Sequence, residues 1–120
     1  MHPQLDSRLL SRLRLRHLEL LDALGETRNI HHAAPRLNLT QPAASKLLQE
    51  IETLYRTPLF ERHPRGITPT DAGASAIRWA RQLLFSVGES VAEAHLMGRG
   101  ATGRVRIGAL PVAIPMLVTR

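Results

Sequence analysis

Apolar residues recur at helical spacing in residues 13–27, LRLRHLELLDALGET, and this pattern predicts a first helix. The stripe consists of Leu15, Leu18, Leu21 and Leu24, and Leu20 widens it. A short second helix is predicted in IHHAAPRL, with Asn29 as its N-cap because asparagine side chains readily accept a hydrogen bond from a free helix-end N–H. Pro35 lies beyond the first turn of that helix, where a proline ring disturbs helical geometry, so we expect a kink there.

A third helix is predicted from Gln41 to Tyr55, with Thr40 as its N-cap and Pro42 tolerated in the first turn. On a helical projection one set of residues falls between about 220° and 340°, and a second set falls between 0° and about 140°. The apolar set, which predicts the core side, is Ala44, Leu47, Leu48, Ile51, Leu54 and Tyr55. The opposite set is Gln41, Pro42, Ser45, Lys46, Gln49 and Thr53.

The second and third helices together, at residues 30–49, have the pattern of a helix-turn-helix, in which Ala33 and Ala34 allow the two helices to approach closely. Any surface helix has a polar face, and that alone is weak support for a binding role. Here, however, the face starts with small side chains and amides. Glutamine, serine and lysine can bond base edges or phosphates in the major groove of a duplex, so the context favours DNA binding.

A small β-hairpin is predicted in TPLFERHPRGITPT, because two short apolar pieces flank a segment with proline and glycine. The expected turn runs from Glu61 to Gly66 and carries Arg62 and Arg65 at its tip. Beside a helix-turn-helix, such a hairpin is a wing whose arginines can contact phosphates or the narrow minor groove.

A long helix is predicted from Asp71 to Met97, with Thr70 as its N-cap. Six apolar positions follow a 3-4-3-4-3 spacing, which is a heptad seam and predicts pairing with a second copy. These candidate dimerisation residues are Ile77, Ala80, Leu84, Val87, Val91 and Ala94. The alternative is packing against a missing part of the same chain. A dimer would place two recognition helices on one duplex, matching an inverted-repeat site.

The two ends of the chain differ from the middle. Residues 1–12 form a basic N-terminal extension, residues 13–70 the expected DNA-binding domain, and residues 71–97 the expected linker helix. Three glycines between residues 98 and 103 indicate a hinge. Residues 104–120 follow Gly103 in the stretch GRVRIGALPVAIPMLVTR. Their pattern indicates one strand and the start of a helix. They predict the beginning of a further domain that is absent from this chain.

Charge and composition narrow the function. The net charge of +6 favours an anionic partner, nucleic acid before a membrane surface. The chain has no cysteine and no apolar run of the length that spans a membrane, so a cytoplasmic protein without membrane association is expected. Adjacent His31 and His32 point in different directions on a helix, and neither a metal site nor a cofactor is expected. No catalytic constellation is visible, which argues against an enzyme. Two alternatives stay open: another basic nucleic-acid-binding protein, for RNA or architectural DNA binding, and a coiled-coil dimerisation module.

The motifs LRHLELLDAL, AAPRLNLTQPAASKLLQEIE and PLFERHPRGITPTDAG resemble the DNA-binding domain of LysR-type transcriptional regulators over residues 15–73. The resemblance implies a mainly α fold, with a winged helix-turn-helix of three helices plus a β-hairpin, then a long linker helix, and then the start of an α/β effector domain. It implies promoter DNA as partner, a homodimer or homotetramer, and a small-molecule inducer bound by the effector domain. The sequence departs from the family pattern at Pro35, which replaces a polar residue, and at Lys46, which stands where arginine is frequent.

The implied DNA contacts fall on the third helix and the wing. Together with the polar face derived above, they make the candidate DNA-binding residues Thr40, Gln41, Pro42, Ser45, Lys46, Gln49, Arg62 and Arg65.

Overall fold

The structure is a computed structural model that describes residues 7–99. Its elements, in chain order, are α1 Ser7–Arg12, α2 Leu15–Thr27, α3 Ile30–Arg36, α4 Gln41–Tyr55, β1 Phe60–His63, β2 Gly66–Pro69 and α5 Asp71–Gly98. The chain divides into two compact units between Leu84 and Phe85. Most of the predicted hinge and all of the predicted effector-domain segment, residues 104–120, lie outside the described residues, as do the first six residues of the basic extension.

The core of the first unit combines leucines of α2 with apolar residues of α3, α4, the hairpin region and the first half of α5. Its largest fully buried side chains are Leu20, Leu21, Leu24, Leu48, Ile51 and Leu59. Full burial of one such side chain contributes about 1.5–3 kcal/mol, so this small set dominates the stability of the unit. Leu15, which the sequence pattern places in the stripe, is 49% exposed, whereas Leu20 is fully buried. The buried stripe of α2 is therefore centred on Leu20, Leu21 and Leu24.

The start of α2 is held by a buried histidine. His17 is only 3% exposed, and its Nδ1 accepts a hydrogen bond from the Arg14 backbone N–H at 2.9 Å. Because Nδ1 accepts, a neutral His17 carries its hydrogen on Nε2, which lies 3.3 Å from Glu50 Oε1 and donates to it. His17 thus joins the beginning of α2 to the middle of α4, and both of its ring nitrogens have a structural use.

The first half of α5 packs on α2 within the same unit, which corrects part of the predicted dimer seam. Ile77 and Ala80 are 5% and 0% exposed, and Leu84 packs partly buried against the same core. Gly25 makes the close approach possible, because a Cβ there would lie 2.8 Å from Ile77 Cγ2. The heptad spacing by itself does not distinguish a partner helix from the protein's own core. Ile77 and Ala80 are consequently already covered and are not free to meet a second copy.

Ion pairs on the surface accompany this contact. Arg81 Nε lies 2.8 Å from Asp22 Oδ1, and its Nη2 lies 3.3 Å from Glu26 Oε2. All three side chains are substantially exposed, so each pair contributes no more than about 1 kcal/mol. The apolar contact of Ile77 with Gly25, rather than these charges, stabilises the packing of α5 on α2.

The second unit contains the C-terminal part of α5, and its side chains from Phe85 to Arg99 are exposed. Val87 and Val91 are 39% and 63% exposed, and Ala94 is exposed as well. These three residues are the part of the predicted seam that the first unit does not cover. Among residues 7–99, no helix is long and apolar enough to cross a membrane.

Candidate nucleic-acid interface

The helix α3 begins and ends where its sequence dictates. The Asn29 side chain accepts from the backbone N–H of His32 at 3.1 Å, which confirms the predicted N-cap. Pro35 lies in the last turn, and α3 ends one residue later in a Schellman arrangement. In it the Leu39 N–H donates to Ala34 O at 2.9 Å, and the Asn38 N–H donates to Pro35 O at 3.0 Å. Asn38 takes the left-handed conformation, with φ 59°, which turns the chain into α4.

Three alanines form the contact between α3 and α4. Ala33 and Ala34 are 0% and 2% exposed, and Ala44 of α4 is 0% exposed. The absence of larger side chains lets the two helix backbones approach closely, as the sequence predicted. The result is a helix-turn-helix in which the second helix, α4, has its N-terminus at the surface.

The N-terminus of α4 is capped by Thr40, whose Oγ1 accepts from the Ala43 N–H at 3.3 Å. Pro42 has no N–H to leave unpaired. Among the first-turn residues of α4, Gln41 therefore keeps a backbone N–H that neither the cap nor the proline removes. This N–H lies at the positive end of the helix dipole, where a phosphate oxygen would be favoured.

The predicted polar residues of α4 do share one accessible face. Gln41, Lys46 and Gln49 are exposed, and Ser45 is half-buried among them. The opposite face differs slightly from the prediction, because Ala44, Leu48 and Ile51 are buried whereas Leu47 and Leu54 are only partly so. The remaining candidates on this face are Thr40 and Pro42, both exposed.

Tyr55, which the projection places with the core residues, lies at the end of α4 and is 36% exposed. Partial burial of Tyr55 nevertheless desolvates its hydroxyl and raises the pKa of that group above its ordinary value of 10.0. Tyr55 is thus a boundary residue rather than a core residue, and it lies a full helix length from Gln41.

A hydrogen bond links the two helices at the candidate surface itself. His31 Nδ1 on α3 lies 3.2 Å from Gln41 Oε1 at the start of α4. Both side chains are exposed. This contact could not be predicted from the sequence, because a spacing of ten residues gives no signal for a contact between consecutive helices, and His31 was weighed only as a metal ligand. Among residues 7–99, no group of three metal-ligating side chains is arranged to hold an ion.

The wing is a hairpin with a shorter turn than predicted. β1 and β2 pair antiparallel in a register that places His63 opposite Gly66 and Arg62 opposite Ile67. Only Pro64 and Arg65 remain for the turn. The strands extend further because their backbone groups pair right up to a two-residue connection, which is common in hairpins. Arg65 is therefore at the tip as predicted, whereas Arg62 belongs to the first strand.

The wing is fixed to the helices at the beginning of each strand. The Glu52 carboxylate of α4 accepts from the Leu59 N–H at 2.6 Å and from the Phe60 N–H at 3.1 Å. At the other strand, the Ile67 N–H donates to Arg28 O at 3.0 Å. Gly66, with φ 143°, lies directly against that carbonyl oxygen, where a Cβ would clash. Glu52 of α4 and Arg28, the residue that follows α2, thus set the position of the wing.

Charge on this side of the first unit is mainly positive. Lys46, Arg62 and Arg65 are exposed. Both carboxylates of α4 are engaged by the protein, since Glu50 faces His17 and Glu52 binds the wing backbone. The arrangement is able to bind a polyanion, with amide and hydroxyl groups at a helix end and cations around it. Glu52 is a residue of this site that the sequence analysis did not identify, because its partners are backbone groups seven and eight residues away.

Comparison with known proteins places this geometry in a family. The sequence profile described as "Bacterial regulatory helix-turn-helix protein, lysR family" matches residues 15–74, which is half of the chain. The HTH-type transcriptional regulator GbpR of Azospirillum brasilense is 43% identical over 116 residues, covering 92% of this chain and 34% of that protein. The chain thus spans about a third of the length of the curated relative.

Two solved structures of similar chains contain DNA. The protein chain in the crystal structure of a CbnR_DBD–DNA complex has 31% sequence identity to this chain and a TM-score of 0.68. The match covers 72% of this chain and 99% of that one. The protein chain in the crystal structure of a BenM_DBD/catB site 1 DNA complex has 28% sequence identity to this chain and a TM-score of 0.72. The match covers 78% of this chain and 100% of that one. The predicted mainly α fold with a winged helix-turn-helix and a long C-terminal helix is confirmed.

Proposed function

Because the chain belongs to the lysR family of bacterial regulatory helix-turn-helix proteins, we propose that it is a transcriptional regulator that binds promoter DNA through α4 and the wing. The observation that carries this proposal is the exposed polar start of α4 beside a wing with Arg65 at its tip. Both solved relatives are in complex with DNA, which supports the same conclusion.

In this proposal α4 enters the major groove and the wing contacts the adjacent backbone or minor groove. Gln41 and Ser45 read base edges, and Lys46 bonds a guanine or a phosphate. The wing arginine Arg65 contacts phosphate, assisted by Arg62. The contact surface is completed by Thr40, Pro42 and Gln49.

The assembly we propose is a homodimer, or a homotetramer of two such dimers. The exposed residues Val87, Val91 and Ala94 of the second unit are the part of the heptad seam that a second copy can cover. Two subunits would present two α4 helices to one duplex, so the operator is expected to be an inverted repeat.

Residues 104–120 begin an effector domain that binds a small-molecule inducer, and residues 71–97 are the linker between the two domains. The relative GbpR is an HTH-type transcriptional regulator, and we propose for this chain a regulator in the cytoplasm with no enzymatic activity and no cofactor.

The test is the recovery of bound genomic fragments, followed by affinity measurements on the recovered site. Fluorescence anisotropy with that duplex, a random duplex and a single-stranded RNA of the same length separates the alternatives. Preference for the recovered duplex supports the proposal. Equal affinity for random duplex indicates an architectural DNA-binding protein, and preference for the RNA indicates an RNA-binding protein. Either of these two results overturns it.

Matched variants assign the contacts. Gln41→Ala should lose on the order of 1–3 kcal/mol of affinity for the recovered site and little for random DNA. Gln82→Ala, at an exposed glutamine of α5, is its control. Arg65→Ala should weaken binding to both duplexes and reduce the salt slope by about one, whereas Arg78→Ala, at an exposed arginine of α5, should not. An unchanged salt slope for Arg65→Ala excludes its phosphate contact.

A further inference from the structure

The hydrogen bond between His31 and Gln41 fixes the orientation of a side chain that the proposed function assigns to base reading. His31 Nδ1 and Gln41 Oε1 are 3.2 Å apart. A glutamine amide oxygen accepts hydrogen bonds and does not donate them. His31 therefore carries a hydrogen on Nδ1 and donates it to Oε1. The amino group of the Gln41 carboxamide, Nε2, is then the end directed away from His31.

We propose that His31 is a positioning residue that makes Gln41 a hydrogen-bond donor to DNA. This inference rests on the proposed function, in which Gln41 faces a base. An unrestrained glutamine can turn its carboxamide by half a rotation and offer either the oxygen or the amino group. With Oε1 held by His31, the end that remains for the base is the Nε2 amino group.

The donor character of Gln41 determines which bases it selects. In the major groove, acceptors are carried by the N7 atoms of purines, by O6 of guanine and by O4 of thymine, whereas cytosine presents its N4 amino donor. Two facing donors cannot bond. The position that Gln41 reads is therefore expected to favour a base with an acceptor and to exclude cytosine. The bond also orders a flexible side chain before DNA arrives, which lowers the entropy lost on binding.

The neighbouring histidine provides a matched control. His32 is exposed like His31, and the centroids of the two rings are 5.6 Å apart. The backbone N–H of His32 donates to Asn29 Oδ1, and this bond does not depend on the His32 side chain. Removal of the His32 ring changes local charge and bulk as much as removal of the His31 ring, but it leaves the bond to Gln41 in place.

The experiment selects bound sequences from a library of duplexes with a randomised central segment. The wild-type chain and the variants Gln41→Ala, His31→Ala, His31→Asn and His32→Ala are each used as full chains. Gln41→Ala identifies the position that Gln41 reads, because the base preference disappears there. At that position the wild type should disfavour cytosine by about five- to tenfold, which is the lower part of the range for a good base contact.

His31→Ala should reduce this discrimination to about twofold or less, because the carboxamide can then rotate. His31→Asn should restore it, since the asparagine Nδ2 is a donor close to the place of Nδ1. His32→Ala should leave it unchanged. Because His31 and His32 are exposed, all of these variants should show wild-type circular dichroism and thermal unfolding.

Two results would overturn the inference. The first result is that His31→Ala keeps the wild-type base preference at the position where Gln41→Ala loses it, or that the wild type prefers cytosine at that position. In either case His31 does not make Gln41 a donor, and the proposed function still stands. If Gln41→Ala changes no position of the recovered motif, Gln41 does not read a base, and the role assigned to it in the proposed function fails together with the inference.

Discussion

Replacement of Gly73 with alanine tests how closely the start of α5 is packed against the wing. Gly73 is buried in the first turn of α5, and a Cβ there would overlap the carbonyl oxygen of Leu59 and lie 2.8 Å from its carbonyl carbon. The same carbonyl accepts from the Thr70 N–H at 2.9 Å, and Thr70 Oγ1 donates to Pro58 O at 2.9 Å. To admit the methyl group, α5 must move away from β1 and strain or break these bonds.

The expected loss of stability follows from these contacts. Two backbone-linked hydrogen bonds contribute about 0.5–1.5 kcal/mol each, and forcing a methyl group into a filled site costs about 1–3 kcal/mol. The better helix propensity of alanine offsets at most about 1 kcal/mol. The net of these ranges is a loss of about 1–5 kcal/mol in the free energy of unfolding for Gly73→Ala, and its middle value of about 3 kcal/mol corresponds to a fall in Tm of roughly 12–24 °C for a domain of this size.

Gly88→Ala is the matched control, because it adds the same methyl group to the same helix where nothing lies within 4 Å. There the propensity term acts alone, and the free energy of unfolding should rise by about 0.5–1 kcal/mol. Both variants are compared by urea unfolding at one protein concentration, so that association does not change the apparent stability. A Gly73→Ala protein as stable as the wild type would refute the close packing of α5 on Leu59.

Three further predictions concern the wing, the end of α4 and the seam. Glu52→Ala should lower the free energy of unfolding by about 2–3 kcal/mol, because it leaves the N–H groups of Leu59 and Phe60 without their acceptor. The control is Glu61→Ala, a change at an exposed carboxylate. If urea unfolding gives the two variants free energies within about 0.5 kcal/mol of each other, the role of Glu52 is contradicted. Tyr55 is the only tyrosine in the sequence, so absorbance at 295 nm should give a titration midpoint above 10.0 that falls to about 10 in concentrated urea. Because the folded state holds this proton more tightly, the associated stability is present below pH 10 and is lost as the pH rises through the folded-state pKa; a midpoint that urea does not move would argue against the desolvation. Val91→Asp, at an exposed position of the heptad seam, should abolish the dimer in a sedimentation experiment without lowering the stability of the monomer. If the variant still sediments as a dimer, the seam is not the dimer interface.

The sequence was most informative where a local rule acts on a few neighbouring residues. Asn29, Thr40 and Thr70 are N-caps as predicted, because each side chain bonds an N–H three residues ahead. The division of α4 into an apolar and a polar face also follows from its helical period. These rules were enough to predict the helix-turn-helix and the exposure of its polar residues.

Long-range contacts account for what the sequence did not reveal. A heptad spacing cannot tell that Ile77 is covered by α2, because the partner at Gly25 lies far away in the chain. The role of Glu52 and the bond from His31 to Gln41 likewise depend on how elements meet in space. The turn of the wing was predicted too long because its composition suggested a loop where backbone pairing in fact continues to His63 and Gly66.

The attachment of the wing has a consequence for how the protein would fit a double helix. The Glu52 carboxylate restrains one strand of the hairpin, and Arg28 O restrains the other. A hairpin that is held both at its base and next to its turn has little freedom to swing toward a distant phosphate. We therefore expect the nucleic acid to do the adjusting, so that sequences whose groove width and flexibility already suit the fixed span from Gln41 to Arg65 are bound best, even at base pairs that no side chain touches.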